Sequence, residues 1–403
     1  MLIRNKKGNI EAFVLCFVLA LFNLFGCSDD RPIQGFELAD PEDRGEVTDT
    51  TLTLIELEES YRDTTVATGS STILSLGSFE NIEARIVLKF ENLPDTILVT
   101  GASIILQTRA IIGESMQPFT ATIHQITRDW NELSVTNDTL QNAFDLNPLG
   151  SASIFPTVGD TSATDTLVSI EAVRIDFDDP QLVKDWIDTT SMVANYGVLL
   201  NFSNSDFIKE FFSKNNSSNQ PRLEFYFENN DSERDTSFVT ATADAYLVRS
   251  LIDPPAGPLY VDNVFSHQSV IKFDLASIPR ESTINKANLI LNVQDENSIL
   301  TGDGIVVQIT RLAEPFTSPD TIELDTLVTS IVQLVKDSDS SITIPIRSML
   351  QDWTSQQFEN HGFLIRAGIP GLDISRVAFF SSVIDSSMAP KIEVDFTVSP
   401  NVP

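Results

Sequence analysis

Two tandem β-sandwiches are what this 403-residue chain predicts, and two observations carry the prediction. Apolar and polar residues alternate through short stretches at 52–57, 82–90, 120–127, 304–310 and 391–398, separated by clusters of Gly, Pro, Asn and Asp. Short strands at that spacing, punctuated by turn residues, suit a sandwich. The chain also repeats itself: Val87-Leu88-Lys89-Phe90 answers to Val270-Ile271-Lys272-Phe273, and Gln125-Ile126-Thr127-Arg128 to Gln308-Ile309-Thr310-Arg311, both 183 residues apart. One unit has been duplicated.

At the N-terminus, Arg4, Lys6 and Lys7 precede an apolar run of 11 residues, 12–22, and Leu24-Phe25-Gly26-Cys27 closes it. This is a secretory leader, because a membrane-crossing helix needs about 20 apolar residues. The segment resembles a bacterial lipoprotein signal peptide. That resemblance implies cleavage after residue 26, lipidation of Cys27 and an outer-membrane location. Ser28-Asp29-Asp30 looks like the acidic tag that sends some lipoproteins to the cell surface. Residues 27–48, rich in Asp, Glu, Pro and Gly, read as a flexible tether.

The first sandwich is expected over 49–228, a polar linker over 229–237 and the second sandwich over 238–398. The continuously apolar runs Ile104-Ile105-Leu106 and Val198-Leu199-Leu200 predict central strands covered on both faces. Each copy also predicts one short helix. Asp179 precedes Pro180, Val183, Trp186 and Ile187 in the first copy; Pro345 leads into Ile346, Met349, Leu350 and Trp353 in the second. Trp186 and Trp353 are thus packing residues. The copies agree to their ends: Asn195-Tyr196-Gly197-Val198-Leu199 matches Asn360-His361-Gly362-Phe363-Leu364, and Pro221-Arg222-Leu223 matches Pro390-Lys391-Ile392.

The formal charge is −31, and removing residues 1–26 (three positive, one negative) takes it to −33. A field of that sign repels nucleic acid and anionic head groups. Cys16 falls in the leader and Cys27 takes the lipid, so no disulfide or thiol nucleophile is expected. The chain has three histidines and no Gly-x-Ser-x-Gly elbow, which argues against a serine hydrolase. Aligning the copies sets His124 against Val307, His267 against Ala84 and His361 against Tyr196. We expect no enzyme. No cofactor is expected beyond calcium, for which Asp176-Phe177-Asp178-Asp179 and Asp337-Ser338-Asp339-Ser340 offer alternate carboxylates without a complete calcium loop.

Asp244-Ala245-Tyr246-Leu247-Val248, Val270-Ile271-Lys272-Phe273 with Ile278-Pro279 behind it, Ala287-Asn288-Leu289-Ile290-Leu291, Trp353, the Asn-x-Gly strand and the final Pro-led strand together resemble the DNRLRE, or disaggregatase-related, repeat. The first copy carries that family's Trp-x-Glu element as Trp130-Asn131-Glu132, and the second offers Phe316 nearby. The resemblance implies an all-β fold of two tandem jelly-roll β-sandwich domains, each with one short helix, similar to carbohydrate-binding modules. Sugar binding combines an exposed aromatic face with polar hydrogen bonds. The ring candidates are Trp130, Tyr196, Tyr246, Tyr260 and His361, and the expected partner is a polysaccharide or surface glycan. The rival expectation is a structural or adhesive surface protein that binds other proteins.

Overall fold

The computed structural model describes residues 45–94, 98–158, 171–228, 234–325 and 330–398, and over these the chain is all-β. The expected leader, Cys27 and most of the tether lie outside the described residues. In chain order the elements are β1 (Glu46–Leu52), β2 (Ile55–Arg62), β3 (Ile73–Phe79), β4 (Ile82–Lys89), β5 (Leu98–Ile112), β6 (Phe119–Gln125), β7 (Gly150–Ile154), β8 (Ala172–Asp176), α1 (Gln181–Ile187), β9 (Val198–Ser203), β10 (Ile208–Phe212), β11 (Arg222–Glu228), β12 (Arg234–Thr240), β13 (Ala243–Ser250), β14 (Leu259–Asp262), β15 (His267–Phe273), β16 (Thr283–Asn292), β17 (Ile305–Arg311), β18 (Ile331–Val335), β19 (Ser341–Pro345), α2 (Arg347–Thr354), β20 (Phe363–Ala367), β21 (Arg376–Phe379) and β22 (Lys391–Val398).

Strand pairing sorts these into two equivalent sets. The first holds a layer β13-β4-β9-β6-β7, a facing layer β12-β11-β5-β8 and a ribbon β3-β10. The second holds β2-β15-β20-β17-β18, β1-β22-β16-β19 and the ribbon β14-β21. Every pairing is antiparallel, and in the first set the ribbon joins both layers into one continuous sheet, β10 pairing with β5 and β3 with β4. Each set encloses its own core. Leu88, Ile104, Leu200 and Phe225 are fully buried in the first, and Ile271, Leu289, Ile309 and Phe363 in the second. Val198, Leu199 and Leu200 are all buried, because Leu199 faces a small outer cluster while its neighbours face the core. Both helices stand where the sequence places them: Asp179 accepts the Gln181 N–H at 3.0 Å, and Ile346, Met349, Leu350 and Trp353 bury one face of α2.

The strand pairing crosses the boundary drawn from sequence. β12 and β13, expected to open the second sandwich, pair with β11 and β4 of the first set. β1 and β2, expected to open the first, pair with β22 and β15 of the second. Residues 234–237 of the expected linker are part of β12, and 46–48 of the expected tether are part of β1. The first set is thus contiguous, whereas the second is closed by the N-terminal strands β1 and β2, with Glu46 opposite Val398 and Leu52 opposite Ile392. Local hydrophobicity could not reveal this, since only long-range pairing distinguishes the hosts of these two pairs of consecutive strands.

One repeat match also shifts. Backbone bonds from Ile126 N to Gly197 O and from Leu312 N to Gly362 O, both 3.1 Å, make Ile126 the counterpart of Leu312. Gln125 therefore corresponds to Arg311, and the two Gln-Ile-Thr-Arg stretches lie three residues out of register. An odd shift reverses every side chain. Ile126 packs in the outer cluster with Val87 and Leu199, while Ile309 packs in the main core. His124 accordingly matches Thr310 rather than Val307.

Candidate functional site

Two of the five ring candidates are not exposed. Tyr246 is 1 % accessible and Tyr260 3 %, so neither presents a face to solvent. The Tyr246 hydroxyl donates to the Gly371 carbonyl at 3.3 Å, tying the halves together, and burial pushes its ionisation well up. The Tyr260 hydroxyl donates to the Pro255 carbonyl at 3.0 Å, and burial again raises its ionisation. Both rings belong to the packed frame.

Trp130 and Tyr196 are half-buried and meet each other over Val87, Ile126 and Leu199. The Trp130 indole Nε1 donates to the Tyr196 carbonyl at 2.8 Å, and Glu132 accepts the Asp244 N–H at 3.0 Å. The Trp-x-Glu element thus bolts the 127–149 loop across the first five-stranded layer. His361 holds the matching place in the second half, with Nε2 3.6 Å from Glu359. Around both residues the turn is one device. Asn195 and Asn360 donate side-chain amides to the Phe90 and Phe273 carbonyls at 2.6 and 2.9 Å. Gly197 and Gly362 take φ of 85° and 87°, with a neighbouring strand carbonyl where a Cβ would stand. The structure therefore brings Trp130 and Tyr196 together, and leaves Tyr246, Tyr260 and His361 apart from them.

A different constellation forms where β15 begins and β20 ends. A cleft of about 390 Å³ is lined by residues that include Val66, Asp262, His267, Gln268, Gln308 and Arg366. Register builds its rim. Gln308 stands opposite Arg366, and Ser269 opposite Ile365, which sets Gln268 opposite Arg366 on the other side; Tyr61 then stands opposite Gln268. Tyr61, Gln268, Arg366 and Gln308 thus form one polar row across four strands. The Tyr61 hydroxyl donates to Gln268 Oε1 at 3.3 Å, and its ring stacks on Phe316 at 5.9 Å.

Asp262 organises the cleft wall. Its Oδ1 accepts the Phe265 N–H at 2.7 Å, and its Oδ2 takes the His267 Nδ1 proton. That bond places a proton on Nδ1 and leaves Nε2 without a protein partner among the described residues. Arg366 forms no ion pair among them, and its Nε is buried with no acceptor. Sequence reasoning missed these residues, having set His267 aside against Ala84. The available signal was Arg366 itself, a guanidinium inside the apolar run Phe363-Leu364-Ile365-Arg366-Ala367 where the first copy has Asn201.

Other ionisable groups are structural in their surroundings. Burial outweighs the attraction of Arg109 and pushes the Glu210 carboxyl up to about 7; burial likewise carries Asp244 to about 7. Arg109 bridges Glu210, at 2.5 Å, to Asp303 of the other half. His124 is buried between Thr122, at 2.9 Å, and the Asp145 carbonyl, at 2.8 Å. In the stretches weighed for calcium, Asp176 accepts the Ser103 hydroxyl at 2.6 Å, Asp179 caps α1 and Asp339 accepts the Lys336 N–H at 2.9 Å. Among the described residues no group of three or more His, Cys, Asp or Glu is placed to hold a metal, and no helix is long and apolar enough to cross a membrane.

No family model matches the chain, and no curated protein matches its sequence. A solved structure titled BspA_C_WT is similar over 84% of this chain and 90% of that chain, at 7% identity and a TM-score of 0.18, which is too low to carry an argument about fold or function.

Proposed function

We propose that this protein is a non-catalytic, lipid-anchored protein of the bacterial outer membrane, exposed at the cell surface, that binds polysaccharide or extracellular matrix glycan. The DNRLRE-like pattern and the leader ending at Cys27 support this reading. The observation that carries it is the polar row Tyr61-Gln268-Arg366-Gln308 beside a 390 Å³ cleft, a size within the about 300–1,000 Å³ of small-molecule sites. An array of polysaccharides and oligosaccharides probed with the folded protein tests it. Binding that weakens at least tenfold in Gln308→Ala supports the reading, and a blank array removes it.

A second reading has its own observation. Trp130 and Tyr196 bolt a loop in place, and Tyr246 and Tyr260 are internal, which favours a structural or adhesive surface protein whose partners are other proteins. Retention of binding in Trp130→Phe, with a lowered melting temperature, would fit that structural use of the ring in either case. Cleavage of any bound glycan, abolished by one Asp or Glu substitution, would instead make the protein an enzyme.

A further inference from the structure

We infer that the cleft between β15 and β20 is an oxyanion subsite, in which Arg366 and His267 hold a sulfate or carboxylate group carried by a polyhydroxylated chain. The inference deepens the glycan-binding reading and rests on it for the chain, but its anion chemistry stands on separate observations.

Acids outnumber bases 57 to 26 in this chain, so a guanidinium without a carboxylate is out of keeping with its surroundings. Arg366 is such a group: half-buried, free of ion pairs among the described residues, and with Nε shielded from solvent and unmatched. A buried donor without an acceptor is costly unless a ligand supplies one. Nε and the adjacent terminal nitrogen of arginine present two parallel donors that fit two oxygens of a carboxylate or sulfate. His267 lines the same cleft: Asp262 takes the Nδ1 proton, and Nε2 has no protein partner among the described residues, so it donates to an oxyanion when the ring carries both protons as the imidazolium. Gln308 and Gln268 flank Arg366 and can donate to or accept from neighbouring hydroxyls.

The first half shows what a closed version looks like. Arg85 occupies the position equivalent to Gln268, but it donates to Asn137 at 2.5 Å and lies 5.7 Å from the Phe144 ring centroid. The covering loop has satisfied that cation. In the second half the 313–325 loop brings Phe316 onto Tyr61, and the Arg366 Nε finds no acceptor among the described residues.

The test is calorimetric titration of the full chain with inorganic sulfate, a galacturonic acid trisaccharide, a sulfated disaccharide and a neutral trisaccharide. Nitrogen NMR of the His267 ring is followed alongside. At least tenfold tighter binding of a charged sugar than of the neutral one is expected, together with a His267 Nε2 shift on adding sulfate. The two charged sugars distinguish carboxylate from sulfate. Arg366→Gln should lose at least tenfold and Arg85→Gln less than twofold, with His267→Gln as the second variant should Arg366→Gln fail to fold. Equal affinity for charged and neutral sugars, with no His267 shift, overturns the subsite and leaves glycan binding standing. A sulfate-induced shift without binding of any sugar keeps the subsite and overturns glycan binding. No response to any of the four ligands overturns both.

Discussion

The two halves carry the same strand plan but close it differently, and the contrast separates what local sequence specifies from what topology specifies. The first half takes its closing strands, β12 and β13, one for each layer, from the residues that directly follow β11. The second takes its closing strands, β1 and β2, from the other end of the chain. The closing strands themselves are interchangeable in form: Leu52 faces Ile392 as Val239 faces Leu223, and Glu59 faces Val270 as Ala245 faces Val87. Equal local structure can therefore rest on unequal connectivity.

The largest test of that contrast is removal of residues 46–62. It strips one strand from each layer of the second half, a loss comparable to the whole stability of a domain, about 5–15 kcal/mol. Hydrogen exchange should then show β15, β16 and β22 unprotected while β4, β5 and β9 stay protected. Loss of protection in both halves would show that they fold as one unit, through the shared core that draws Val264, Phe265 and Ile374 into the first half.

Next in size are Gly197→Ala and Gly362→Ala. A left-handed backbone costs an ordinary residue about 1–2 kcal/mol, and the collision with the Leu88 or Ile271 carbonyl adds to it. Urea denaturation should register both, at roughly 3 kcal/mol each. A marked inequality would break the equivalence of the two turns.

A pH scan sharpens the comparison at the seam. Glu210 and Asp244 hold a proton up to about 7 in the folded chain, against ordinary carboxylate values near 4 when unfolded. The folded state thus binds more protons between those limits, so stability rises as pH falls from about 8 toward 5. The melting temperature should be higher at pH 5 than at pH 8, by an amount on the order of 1–3 kcal/mol in stability from Glu210. Glu210→Gln should flatten that slope, and an unchanged slope would assign the effect elsewhere.

The smallest effect belongs to Trp130→Phe, which deletes the bond to the Tyr196 carbonyl and should cost about 1 kcal/mol in thermal denaturation. Loss of ligand binding without loss of stability would restore Trp130 as a contact residue.

Much of the fold was legible because strand period and turn chemistry are local. Both helices, the buried central strands and the Asn-x-Gly turns follow from residues close in sequence. What stayed hidden needed pairing between distant segments. Two identical tetrapeptides around Ile126 and Ile309 occupy opposite faces, because a strand can slide by three residues and keep its alternation. The cleft was hidden for the same reason: Tyr61, His267, Gln308 and Arg366 are dispersed in sequence and converge only through register. Aromatic residues drew attention by type alone, and Tyr246 and Tyr260 proved internal.

The seal between β1 and β22 also sets a schedule for the ribosome. Leu52 leaves the exit tunnel early and must wait for Ile392, about 340 residues later, before its sheet exists. At about 5–20 residues per second that is roughly 20–70 s of translation. During the wait strands β1 and β2 offer bare edges to any neighbouring chain, while the contiguous half has no such delay in its pairing. Slowing the delivery of the chain to the compartment where it folds should therefore raise misassembly of the C-terminal half and spare the N-terminal one.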